Sequence, residues 1–127
     1  MSVAKCRLVV ADDVVYFRTL LRIALDPERF EIVAEAGDGR EAIAAAGETK
    51  PDVILLDLSM PIMDGLQAIP AIRELSPDTK ILVLSGFDAH SMSTEALELG
   101  ADAYLEKGVD LGEITRAITG LFDGGDG

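Results

Sequence analysis

The sequence predicts an α/β sandwich: five parallel strands in one sheet, with helices covering both faces. Three observations carry this prediction. Strand-like and helix-like stretches alternate five times along the 127 residues. The strand-like stretches are short unbroken apolar runs, the pattern of strands buried on both faces of a parallel sheet. The connections are short, and right-handed crossovers between parallel strands place helices on either side.

The first run, Leu8 to Ala11, ends in Asp12-Asp13. Phe17, Leu20, Leu21, Ala24 and Leu25 then recur at i, i+3, i+4, i+7 and i+8, one face of a helix that Pro27 ends. Phe30 to Ala34 reads as the second strand, and Gly37-Asp38-Gly39 turns into an alanine-rich helix over Arg40 to Glu48. Pro51 closes that unit, and Asp52 to Asp57 is the third strand. Asp64-Gly65 opens a helix through Leu66, Ile69, Ile72 and Leu75, with Asp64 as its cap. Pro70 lies inside it, which predicts a kink or a shortened first turn. Ile81 to Leu84 is the fourth strand, and a fourth helix runs from about Ala89 to Leu99 and stops at Gly100. Ala101 to Leu105 is the fifth strand, and Leu111, Ile114, Thr115, Ile118, Leu121 and Phe122 mark the last helix. Residues 5–122 form the domain, and 123–127 read as a flexible tail or the start of a linker.

A net charge of -12 argues against this segment gripping nucleic acid or an anionic membrane by itself, and suits a divalent cation or a basic partner. Cys6 is the single cysteine, so an internal disulfide is excluded and a reducing cytoplasm is the expected setting. No signal peptide or membrane-spanning run is expected. His90 stands alone at the start of a helix and reads as a surface residue.

The ends of the strands supply the functional signal. The first strand delivers Asp12 and Asp13, the third Asp57, the fourth Ser85 and the fifth Lys107. In open parallel sheets, ligands bind at the carboxyl ends of the strands. Each residue alone has an ordinary explanation, as a cap, a turn or a solvated charge, and the inference rests on their joint occurrence. Three carboxylates crowded together repel unless a cation sits among them. A hard ion with oxygen ligands, Mg²⁺ above all, fits such a set, whereas zinc would call for His and Cys clusters. Asp57 is then placed to attack a phosphoryl group, with Lys107 and Ser85 holding its oxygens.

These motifs resemble the receiver domains of two-component response regulators. The resemblance runs through Val9-Val10-Ala11-Asp12-Asp13, Ile54 to Pro61, Met63-Asp64-Gly65-Leu66, Leu84-Ser85-Gly86 and Gly100 to Lys107. It implies a flavodoxin-like (βα)5 three-layer sandwich with strand order 2-1-3-4-5. It also implies that Asp57 accepts phosphate from a sensor histidine kinase or a phosphotransfer protein. Asp13 and Asp57 would bind Mg²⁺ (or Mn²⁺) through side chains, Ser59 through its backbone carbonyl, and Asp12 mainly through water. Ser85 would bond a phosphoryl oxygen and Lys107 would pair with the phosphoryl group. Tyr104 would be the switch aromatic, turning inward as Ser85 moves. The surface of the fourth helix, fifth strand and fifth helix would then change, select a partner and serve in homodimerisation. Gly108 departs from the proline common in the family after the lysine, so the bond before it is expected to be trans.

Two kinds of output fit the sequence. Transcription control through a DNA-binding effector domain is one reading, and a stand-alone receiver acting by protein contact is another. As a receiver the chain would be no enzyme beyond its own phosphotransfer and dephosphorylation. An aspartyl-nucleophile phosphatase would need a further acid/base and a cap over its substrate. A flavin carrier would need a glycine loop where Asp12-Asp13 stands.

Overall fold

Five strands and five helices alternate along the chain in a computed structural model that describes residues 4–86 and 92–124. The strands are β1 (Cys6–Ala11), β2 (Phe30–Ala36), β3 (Val53–Asp57), β4 (Lys80–Ser85) and β5 (Ala103–Glu106). The helices are α1 (Val15–Ala24), α2 (Gly39–Thr49), α3 (Gly65–Leu75), α4 (Ser93–Leu99) and α5 (Leu111–Gly124). All pairings are parallel, and the order in the sheet is β2-β1-β3-β4-β5. The fold is the flavodoxin-like sandwich expected. His90, and the start of the fourth helix near Ala89, lie outside the described residues.

The unbroken apolar runs have a direct cause. Alternate residues of each strand face opposite sides. Val9, Ala11, Ile54, Leu56, Ile81 and Val83 pack with residues of α2, α3 and α4. Leu8, Val10, Leu55, Leu82 and Leu84 pack instead with Leu21 of α1 and with Ile114 and Ile118 of α5. Both faces of the sheet are core, so polar residues are pushed to the strand ends.

One irregularity interrupts the sheet. β1 and β2 keep register from Cys6 opposite Phe30 to Leu8 opposite Ile32, and then slip so that Val9 faces Ala34. Val33 is the extra residue of a β-bulge, and beyond it Val10 faces Glu35 rather than Ala34.

Several expected boundaries shift. α3 does not lose its first turn to Pro70. Asp64 caps it by accepting the Gln67 amide at 2.8 Å, while the Gln67 side chain accepts the Asp64 amide at 3.2 Å. Pro70 sits mid-helix on the exposed side, where water can meet the carbonyl it leaves without a donor. β5 begins at Ala103 rather than Ala101. Asp102, just before it, donates its amide to Ile81 and accepts the Ile81 amide through its side chain. α5 runs to Gly124, two residues past the Phe122 that ends its apolar pattern.

Candidate functional site

The carboxyl ends of β1, β3, β4 and β5 meet at one edge of the sheet. Asp57 is the last residue of β3 and is only 3% exposed; Asp12 follows β1 and is 1% exposed. Asp13, next along, is exposed. Carboxylate oxygens of all three lie within 4.8 Å of one another. Lys107, one residue beyond β5, reaches in between. Its Nζ is 2.7 Å from Asp12 Oδ2 and 3.3 Å from Asp57 Oδ2, with the Phe17 ring 5.0 Å away. Lys107 is held at the strand end by its own amide, which donates to the Ser85 carbonyl at 2.8 Å. The Lys107–Gly108 bond is trans, since the described residues contain no cis peptide.

The backbone fixes each acid. Asp12 donates its amide to Ala36 at 2.8 Å, and its Oδ1 accepts the Val14 amide at 2.8 Å. Val14, not Asp12, occupies the cap position of α1, so the acidic pair is more than a helix start. Asp57 Oδ1 accepts the Ser59 amide at 3.1 Å. Behind Asp57 the chain is packed without slack: a Cβ placed on Gly65 would fall 2.2 Å from the Asp57 carbonyl oxygen. Glycine at the head of α3 is therefore a requirement of close approach.

Electrostatics mark the site. Burial pushes the Asp57 carboxyl above its ordinary value; the Ser59 amide opposes this, the Asp12 charge adds to it, and Lys107 pulls back. Burial works against the Lys107 ammonium, but the bond and charge of Asp12 and the charge of Asp57 outweigh it, and its pKa is raised. Asp12 Oδ2 is buried, and its partner is the Lys107 ammonium at 2.7 Å, which Asp57 also shares. Two buried carboxylates with one ammonium between them leave negative charge unbalanced at the strand ends. Three clustered carboxylate oxygens with a single ammonium among them fit a hard divalent cation such as Mg²⁺.

Ser85 is fully buried, and its Oγ lies 2.9 Å from Tyr104 Oη and 3.3 Å from the Gly86 carbonyl. The structure thus groups Asp12, Asp13, Asp57 and Lys107, while the Ser85 hydroxyl is engaged by Tyr104. Ser59 directs its amide at Asp57.

Two features of the site carry no sequence signal. Ile62, 78% exposed, has φ 68° at the centre of a γ-turn closed by the Met63 amide on the Pro61 carbonyl at 2.7 Å. A β-branched residue there costs about 1–3 kcal/mol, strain of the kind that gathers at functional sites. The second is Arg18, whose Nη1 donates to the Asp12 carbonyl at 2.5 Å.

Comparison with known proteins agrees with this geometry. A family profile described as "Response regulator receiver domain" matches residues 8–119. The chain belongs to the response regulator receiver family. It is 33% identical over 112 residues to the chemotaxis protein CheY of Listeria monocytogenes, covering 88% of this chain and 94% of that protein. It is 37% identical over 123 residues to the transcriptional regulatory protein DegU of Brevibacillus brevis, covering 95% of this chain but only 52% of DegU. Among solved structures, the REC domain of AraT, a response regulator from Geobacillus stearothermophilus, superposes with a TM-score of 0.87. Its identity is 34% and the match covers 97% of each chain. This receiver therefore spans nearly all of one kind of relative and about half of another. Among the described residues, no helix is long and apolar enough to cross a membrane.

Proposed function

We propose that this receiver is a phosphorylation switch of a two-component system, acting in the cytoplasm, with Asp57 as phosphoacceptor. The observation that carries the reading is the buried Asp57 carboxylate at a strand end, flanked by two further carboxylates and a single ammonium. A carboxylate oxygen of Asp57 attacks the phosphorus of a phosphohistidine on a sensor kinase or phosphotransfer protein. An O–P bond forms as the P–N bond breaks, and its electron pair leaves with the imidazole. Asp12, Asp13, Asp57 and the Ser59 carbonyl would hold Mg²⁺, or Mn²⁺, which offsets the charge gathering on the transferred group. Lys107 moves from the carboxylates to the phosphoryl oxygens, and Ser85 exchanges Tyr104 for one of them. The chain acts only on itself, gaining and losing its phosphoryl group.

The modification brings about two negative charges and three strong acceptors to a buried strand end. Ser85 and Tyr104 carry its effect from β4 to β5, and the α4-β5-α5 surface responds by selecting a partner or a second copy. Transcription control through an effector domain is the output we favour. It is supported by the 37% identity to DegU, of which this chain spans 52%. The acidic receiver would leave DNA to that domain.

With Mg²⁺ and acetyl phosphate, intact mass is expected to rise by one phosphoryl unit, and Asp57→Asn to abolish the gain. Labelling of Asp57→Asn at the wild-type level would sink the assignment.

A further inference from the structure

We propose that Arg18 is a positioning residue for the cation site: it fixes the peptide between Asp12 and Asp13 and so sets the angle between their carboxylates. The proposal rests on the phosphoacceptor reading and adds to it a group outside the strand-end set.

The Asp12 carbonyl belongs to the peptide unit that joins two proposed ligands. Its orientation determines ψ of Asp12 and φ of Asp13, hence where each side chain points. Everything else about Asp12 is tied: its amide goes to Ala36, its Oδ1 to Val14 and its Oδ2 to Lys107. The chain has left β1 at this point, so no ladder of the sheet takes the carbonyl. Arg18 takes it, through Nη1 at 2.5 Å.

A long side chain can hold a peptide plane only if it is itself held. Arg18 Nε donates to Glu35 Oε1 at 3.0 Å, and Arg22 Nε donates to Glu35 Oε2 at 2.6 Å. Arg22, Glu35, Arg18 and the Asp12 carbonyl form one chain of charge-assisted bonds. Glu35 is available on this side only because of the bulge at Val33. In the register kept from Cys6 to Leu8, Glu35 would stand opposite Ala11 and share the α2–α4 face. The extra residue sets it opposite Val10, on the face of α1. A bulge that re-aims one side chain beside a site is a recognised use of this irregularity.

Arg22 supplies the control, since it shares Glu35 but does not reach the Asp12 carbonyl. The readout is the Mg²⁺ dissociation constant from calorimetric titration of the unphosphorylated protein, beside its melting temperature in chelator. Arg18→Met is expected to raise the dissociation constant about tenfold, the scale on which groups orienting metal ligands act. Arg18→Lys, which reaches the carbonyl but cannot also keep Glu35, should fall between. Arg22→Met, which removes one prop of Glu35 but leaves the Arg18 bond to the Asp12 carbonyl, should lower the melting temperature and raise the dissociation constant by clearly less than Arg18→Met does. Equal dissociation constants for Arg18→Met and the wild type, or equal rises in the Arg18 and Arg22 variants, overturn the proposal. If Arg18→Met fails to fold, Arg18→Lys carries the test, and an unchanged constant there overturns it. A wild type that binds no Mg²⁺ overturns the phosphoacceptor reading and this one with it.

Discussion

The two ends of the sheet use the same residue types to opposite effect. At the amino ends, Asp52 precedes β3, Thr79 precedes β4 and Asp102 precedes β5. Asp52 accepts the Arg7 amide at 2.8 Å, Thr79 donates to the Pro51 carbonyl at 2.7 Å, and Asp102 accepts both the Ile81 amide and Arg73. Arg73 also donates to the carbonyls of Pro77, Thr79 and Gly100. Each of these polar groups has found backbone to bond. At the carboxyl ends, Asp12 and Asp57 each take one backbone amide, from Val14 and Ser59, and then share the single Lys107 ammonium, which does not balance their buried charge. An aspartate at a strand end is therefore not a functional sign in itself. The sign is a cluster of buried aspartates whose charge the protein does not balance.

The largest expected effect lies at the satisfied end. Arg73→Ala strips three carbonyls and Asp102 of a donor, and should cost about 3 kcal/mol in urea denaturation. Phosphorylation by acetyl phosphate should persist under conditions where the variant is folded. Loss of labelling in the folded variant would erase the distinction between the ends.

At the other end, a substitution should stabilise. The Asp57 carboxyl holds its proton more tightly folded than unfolded, since burial raises its pKa from 3.8. The folded state then binds more protons between the two values, so stability falls as pH rises through that window. Asp57→Asn removes the buried charge. Without divalent ions at neutral pH it should be about 1–2 kcal/mol more stable than the wild type, the gap narrowing as pH falls toward the ordinary value. A wild type at least as stable throughout would show that Asp57 is as well satisfied as Asp52.

The smallest effect concerns Lys107, which would compete with a divalent ion for Asp12 and Asp57. Lys107→Met should tighten Mg²⁺ binding about fivefold, the equivalent of one exposed charge pair. Weaker binding would mean that the lysine helps to build the cation site.

The same contrast explains what the sequence discloses. Period and apolar runs mark elements because burial on both faces leaves strands such as Val53 to Leu56 no polar choice. Strand ends then expose Asp12, Asp13, Asp57, Ser85 and Lys107 as a set, and Asp64 as the cap of α3. Arg18 and Arg73 stay hidden, because their partners are mostly main-chain oxygens that every residue carries. The bulge at Val33 is equally silent: Phe30 to Ala36 reads as a strand with or without an extra residue. Ile62 lacks even the glycine or asparagine that announces a positive φ. Pro70 misleads by the opposite route, since its conflict with the helix falls on the side facing water.

Gly65 at the head of α3 gives the site a mechanical polarity. The Asp57 main chain rests against that helix with no room for a methyl group between them, whereas a Cβ on Gly86 after β4 would meet nothing within 4 Å. The helix is an anvil on one side of the strand end. A group added to the Asp57 carboxylate is therefore expected to do its work toward β4, because recoil through α3 is blocked.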